Sequence, residues 1–341
     1  MSARFAEGLA LHKKGALADA QAAYHEVLAV QPDHFDALHL LGVIGYQAGN
    51  FPFAVELIAK AIAIHGTNSI FHSNLGLALK ALKRFDEALT SFDRAIDIDP
   101  GRAQAFNDRG SVLLELKRAR EALASYERAI GLKPDFAEAI YNRGVAYQEL
   151  ERQEEALASY DLAIGLKPDY AEAFNNRGNA LQKLGRTEEA LASYDRALIL
   201  SPGHAETFNN RGSLLQTLGR QQDALASFDR AISIRPAYAQ AFYNRGGVLF
   251  EMRRIEEAKT SYDQALAIAP NYAECFNNRG NVLLELKRLA EALADYDRAL
   301  SINPNYADAL NNRGHTLRQL GQNEDALASY ERAKELKPDQ G

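Results

Sequence analysis

The sequence holds a single cysteine, Cys275, among 341 residues, so no disulfide can close within the chain. That suits a reducing compartment, and the chain is expected to be cytoplasmic. It has no apolar run of about 18 residues, so no membrane span is expected. The opening stretch to Leu17 is broken by Arg4, Glu7, Lys13 and Lys14 and does not read as a signal peptide. Positive charge is not in excess: 39 Lys and Arg stand against 45 Asp and Glu, a net −6. A general phosphate-binding surface would be basic, so no nucleic-acid partner is expected. There is no Walker loop, no G-x-S-x-G, no H-E-x-x-H and no paired C-x-x-C. Neither an enzyme nor a cofactor is expected.

What the chain has in abundance is repetition. Proline recurs every 34 residues at Pro100, Pro134, Pro168, Pro202, Pro236, Pro270, Pro304 and Pro338, with Pro32 two periods earlier and Gly66 in the slot between. A parallel glycine ladder runs from Gly8 through Gly178 to Gly314. Ten units of 34 fill the chain to residue 340, which implies a stacked array in place of one closed core.

The sixth unit shows what one repeat encodes. Phe174, Gly178, Leu181 and Leu184, then Ala190, Leu191, Tyr194, Ala197 and Leu198, are spaced by threes and fours in two separate runs. Gly185-Arg186-Thr187 interrupts them, Glu188 and Glu189 favour a helix start, and Pro202 cannot continue the second helix. Each unit therefore reads helix A, turn, helix B, turn. Slot 8 is always glycine and slot 20 always alanine, while slot 24 is always large, from Tyr24 through Tyr194 to Tyr330. A mid-helix glycine costs about 0.5–1 kcal/mol against alanine. Ten such costs imply that the two helices approach too closely for a side chain.

Large at slot 4, small at 8, 20 and 27, aromatic at 24 and proline at 32, the pattern resembles the tetratricopeptide repeat over essentially the whole chain. The resemblance implies an all-α, right-handed superhelical solenoid of ten helix-turn-helix repeats, with helix A lining a concave groove. The first two units depart from it. Arg4 replaces the large apolar residue, and Gly45 and Pro52 fall at unusual slots. Residues 1–68 are accordingly expected to be irregular and cap-like, and 69–340 to be eight regular repeats. Six of the eight histidines lie in this first fifth, but His34, His39 and His72 have no ligand-like spacing, so no metal site is expected.

Function belongs where packing does not dictate the residue. Slots 2, 5, 6, 9, 12 and 13 of helix A are expected to face the groove. Slot 6 reads Asn74, Asp108, Asn142, Asn176, Asn210, Asn244, Asn278 and Asn312, although asparagine is a mediocre helix former. An amide both donates and accepts, so these asparagines are candidate contacts for the backbone of an extended peptide. The alternative is that they bond to the neighbouring helix. Slot 5 adds Asn107, Asn175, Asn209, Asn277 and Asn311, with Tyr141 and Tyr243 in the same register. Slot 7 is arginine from Arg109 to Arg313 and slot 25 is acidic, which suggests arginine–carboxylate pairs between helices. Asp93 in a repeat that has Leu75 and no arginine speaks against that pairing. The other reading has the arginines meeting acidic groups of a ligand.

At the groove slots of repeats four to ten, ten acids face only Lys183 and Arg318, so polar or basic segments are expected as partners. The stretches His39–Ile44 and Ala54–Ile62 resemble the first repeats of bacterial peptide O-linked N-acetylglucosaminyl transferases. In that family slot-6 asparagines hold the substrate backbone, which implies a substrate-recruiting arm whose catalytic domain is absent here. The last repeat ends at Pro338 with no capping helix, which suggests a fragment. Lys334, where other repeats have Leu or Ile, suggests a natural end. Self-association through end faces, giving a homo-oligomer, is a third reading.

Overall fold

The structure, a computed structural model, describes residues 2–336. Pro338, the last rung of the proline ladder, lies outside them. Among the described residues the chain is all α-helix, twenty helices in consecutive pairs. It forms two compact units, Met1–Pro168 and Asp169–Gly341.

In the first unit the helices are α1 (Ser2–Lys13), α2 (Leu17–Val30), α3 (Phe35–Gln47), α4 (Phe51–Ile64), α5 (Ser69–Ala81), α6 (Phe85–Ile98), α7 (Ala103–Glu115), α8 (Ala119–Leu132), α9 (Ala137–Glu149) and α10 (Gln153–Leu166). In the second they are α11 (Ala171–Lys183), α12 (Thr187–Leu200), α13 (Ala205–Thr217), α14 (Gln221–Ile234), α15 (Ala239–Glu251), α16 (Ile255–Ile268), α17 (Ala273–Glu285), α18 (Leu289–Ile302), α19 (Ala307–Gln319) and α20 (Asn323–Leu336). Odd-numbered helices are the A helices and even-numbered ones the B helices.

Within each unit every A helix packs on its own B helix, and every B helix on the next A. Successive A helices also touch, α3 with α5 up to α7 with α9, and α11 with α13 up to α17 with α19. Among the described residues no two B helices pack together in this way. The A helices therefore form the inner, crowded layer of each unit and the B helices the splayed outer one.

The glycine ladder is where A meets B. A Cβ on Gly178 would stand 2.5 Å from the ring of Tyr194, one on Gly110 2.6 Å from Tyr126, and one on Gly212 2.7 Å from Phe228. These rings are fully buried. The helical cost of each glycine is thus offset by a flat aromatic lying directly on the backbone. Between A and B the chain turns through a left-handed residue. It is glycine in five repeats, but Lys83, Lys117, Glu151, Arg253 or Lys287 in the others, with φ of 59–60°. Most B helices then begin at an arginine that reaches forward three residues, as Arg186 does to Glu189 at 2.7 Å. These exposed pairs hold the glutamates below the usual carboxylate range, chiefly through the arginine hydrogen bonds.

The departures in the first two repeats have local explanations. Arg4 forks onto Glu26 of α2 with two bonds of 2.7 Å, tying A to B where other repeats use an apolar contact. Gly45 admits Phe53, whose ring would lie 2.7 Å from a Cβ there. Pro52 sits in the first turn of α4, capped by the Asn50 side chain on the Phe53 amide.

Candidate functional site

The slot-6 asparagines lie on the inner face, half-buried, and six of the seven are tied to the repeat before them. In the first unit Asn74 Nδ2 donates to His39 Nε2 at 2.8 Å, and Asn142 Nδ2 to Asn107 Oδ1 at 3.0 Å. In the second, Asn210 donates to Asn175 at 3.4 Å and to Asn179 at 3.2 Å. Asn244 donates to Asn209 at 2.9 Å, Asn278 to the Tyr243 hydroxyl at 2.9 Å and Asn312 to Asn277 at 2.9 Å. Asn176 opens the second unit and accepts from Asn175 Nδ2 at 3.1 Å. The acceptors in this scheme are the slot-5 residues. They were expected in the groove, but Asn107, Asn175, Asn209 and Asn277 are all buried, between 1% and 7% exposed. A buried amide needs partners, and the amide of the next repeat provides one.

At one rung an acceptor-only group fixes the orientation of the amides. Asn107 Nδ2 faces the Glu138 carboxylate at 3.1 Å, so Asn107 Oδ1 must face Asn142, and Asn142 must donate. That leaves Asn142 Oδ1 without a donor among the described residues. Asn210 and Asn312 are in the same state. Asp108, which breaks the ladder, is buried, and that burial pushes its carboxyl above the usual range against the pull of the Gln104 hydrogen bond.

The arginines do pair with carboxylates, but across repeats. Arg109 Nε meets Asp93 Oδ1 at 2.6 Å, and Arg211–Asp195, Arg245–Asp229 and Arg313–Asp297 repeat the distance. The acid belongs to the preceding repeat, which is why Asp93 is present where its own repeat carries Leu75. A second bond runs to a buried serine of the arginine's own repeat, as from Arg211 to Ser227 at 2.8 Å. Arg279 differs. Asp295 replaces that serine and takes two bonds of 2.6 and 2.7 Å, while Asp263 takes a third. Asp295 first, then Asp263, hold this guanidinium firmly in its charged form.

Clefts open on the inner face between neighbouring A helices, and ladder asparagines line them. One of about 240 Å³ holds Asn74 between Val43, Tyr46 and Leu77. One of about 310 Å³ holds Asn142 beside Lys80, Lys117 and Glu149. One of about 410 Å³ in the second unit holds both Asn244 and Asn278. The residues of the histidine-rich start are engaged in packing. His34 caps α3, His39 stacks on Phe71 at 4.2 Å, and His72 bonds the Gly66 carbonyl at 3.0 Å. Cys275 is wholly buried, and burial pushes its thiol up to about 12.

Tetratricopeptide repeat profiles match residues 5–69, 69–102, 169–237, 239–272, 273–306 and 307–340, and a TPR repeat profile matches 110–151 and 149–185. The chain belongs to the tetratricopeptide repeat family. Among solved structures, a tetratricopeptide repeat protein from Parabacteroides merdae superposes with a TM-score of 0.58 at 19% identity, over 73% of this chain and 98% of its own. Pseudomonas aeruginosa pilF gives 0.55 at 20%, over 60% and 93%. Both show the fold. YrrB, described as a TPR protein with an unusual peptide-binding site, aligns at 27% identity over 55% of this chain and 96% of its own, with a TM-score of 0.45. No curated protein sequence matches the chain.

Proposed function

We propose that this tetratricopeptide repeat protein is a non-enzymatic scaffold that binds extended polypeptide segments along the inner, A-helix face. One observation carries the reading. Ladder amides spend a donor on the preceding repeat, and at Asn142, Asn210 and Asn312 the carbonyl oxygen is left over on the face lined by clefts. A regular row of acceptors suits the N–H groups of an extended backbone, whatever its side chains. Asn74, Asn142, Asn176, Asn210, Asn244, Asn278 and Asn312 are the proposed contacts. Acids at Glu115, Glu149, Glu251 and Glu285 give the face its preference for polar or basic segments. The stretch that resembles glycosyltransferase-linked arms goes to packing: Ile44, Ala54, Leu57, Ile58 and Ala61 are core, and His39 serves Asn74. It adds nothing to the choice of partner.

The test is a phage-displayed library of unstructured peptides panned on the full chain. Recovered peptides are then titrated by fluorescence anisotropy against wild type and the double variant Asn210→Ala, Asn312→Ala. Two lost hydrogen bonds at about 1 kcal/mol each predict a weakening of at least tenfold. A folded double variant that keeps wild-type affinity overturns the reading.

A further inference from the structure

Two glycines make one inner-face cleft of the second unit unlike the others. At slot 9 the neighbouring repeats carry Asn179, Ser213 and Asn281, and Asn179 and Asn281 accept from the buried hydroxyls of Tyr194 and Tyr296 at 2.7 and 2.8 Å. At that place α15 has Gly247. A Cβ there would fit in ordinary contact, 3.7 Å from Gln216 Nε2 and 3.8 Å from the Tyr262 hydroxyl. Unlike Gly246 beside it, this glycine is not demanded by helix packing. It leaves a cavity of about 410 Å³ walled by Tyr243, Phe250 and Tyr262. Tyr243 is braced by Tyr262, with centroids 6.0 Å apart, and by Tyr272 at 4.8 Å.

The second glycine removes a charge. In two other places the left-handed turn residue of one repeat reaches the slot-13 carboxylate of the next: Lys117 meets Glu149, and Arg253 meets Glu285, each at 3.5 Å. The residue that would serve Glu251 is Gly219, which has no side chain. Among the described residues Glu251 is held by neutral amides, Gln216 at 2.7 Å on one oxygen and Gln221 at 3.4 Å on the other. No cation lines this cavity, whereas the cleft at Asn142 carries Lys80 and Lys117.

We infer that the Gly247 cavity is an arginine subsite: it takes the guanidinium of one arginine side chain from the bound peptide. Aromatic faces at Tyr243 and Phe250 and an uncompensated carboxylate at the rim select a cation. Each Glu251 oxygen has one amide donor and a lone pair to spare, so the carboxylate can receive both prongs of a planar fork, which a lysine ammonium does not offer. The peptide's arginine supplies the charge that Lys117 and Arg253 supply within the chain. The inference builds on the peptide-binding reading above, and the experiment separates the two.

Full-length protein labelled with ¹⁵N is titrated with N-acetyl-arginine amide, N-acetyl-lysine amide and N-acetyl-glutamine amide, following the amide resonances of Tyr243 and Phe250, which line the cavity and are kept in both variants below. The arginine amide is expected to shift them, and the glutamine amide is not. The shift is expected to vanish in Gly247→Asn, which fills the cavity as Asn179 and Asn281 do, and to weaken about tenfold in Glu251→Gln. Gly247→Asn replaces a mid-helix glycine where a Cβ fits in ordinary contact, so the variant should fold, and Glu251→Gln tests the charge without touching the cavity. Silent Tyr243 and Phe250 amides, an equal response to lysine, or a response unchanged in both variants overturns the subsite. If Tyr243 and Phe250 respond to arginine while panning yields no groove-binding peptide, the subsite stands and the scaffold reading falls. If peptides bind through the asparagines with no preference for arginine over glutamine, the subsite falls and the scaffold stands.

Discussion

Acid should loosen the start of the chain through one residue, His39. The ring is 6% exposed, stacked on Phe71 and receiving the Asn74 amide on Nε2. Burial, helped by repulsion from His12, lowers its pKa from an ordinary 6.5 to about 4. The unfolded chain takes up a proton near pH 6.5, and the folded one waits until about 4. Between those values the unfolded state holds more protons, so the residue's full contribution is present above pH 6.5, falls as pH falls, and levels off below 4. At about 1.4 kcal/mol per pH unit, the loss amounts to roughly 3 kcal/mol. Other carboxylates titrate in the same window, so the control is His39→Asn. That variant converts the first rung into the Asn–Asn rung seen at Asn107–Asn142 and has no charge to gain. Hydrogen-exchange protection of α3 to α5 should drop more steeply in wild type than in His39→Asn between pH 6.5 and 4, and the His39 ring should titrate near 4 by NMR. A ring that titrates near 6.5, or parallel loss of protection in the two proteins, would refute the argument.

Three further outcomes follow from the packing. Gly178→Ala should destabilise by about 1–2 kcal/mol, since overpacking costs roughly 1–3 and the better helix former returns up to 1. Urea unfolding should show a smaller penalty when Tyr194→Leu removes the ring that the new methyl strikes. Arg279→Leu should cost about 3–5 kcal/mol by stranding the buried Asp295 carboxylate, whereas Asp295→Ser, which copies the neighbouring repeats, should stay within about 1 kcal/mol of wild type. Asp108→Asn should raise stability by about 1 kcal/mol at neutral pH, because burial penalises the charged carboxylate and the amide completes the ladder. Its carboxyl pKa is raised in the folded state, so that advantage should shrink as pH falls and Asp108 becomes neutral. Thermal melts across pH 4–8 read this directly.

Much of the local structure was open to reading in the residues. The helix pairs, the turn between them and the pairing of each slot-8 glycine with a slot-24 ring all follow from spacing within one repeat. The site was less legible. Slot 6 stood out because asparagine is an unexpected choice for a helix, and the structure does place those residues on the inner face. Slot 5 was misjudged in part, since Asn107, Asn175, Asn209 and Asn277 are buried while Asn311 is exposed. The arginine row was found, but its partner was sought in the wrong repeat. The signal was present in Asp93, an acid whose own repeat has no arginine to pair with. Gly219 and Gly247 carried no visible message separately, as glycine is ordinary in a turn and in this family's helices.

The sequence by itself determined the period, the helices and the A-to-B contact, because these depend on residues within 34 positions of one another along a regular backbone. Tertiary structure decided everything that one repeat does to the next. The offset between stacked repeats brings Asn142 to Asn107, Arg211 to Asp195, and Glu251 to a turn that lacks the usual cation. That offset is a compromise among all the side chains packed between neighbouring helices, so no single residue's identity announces it.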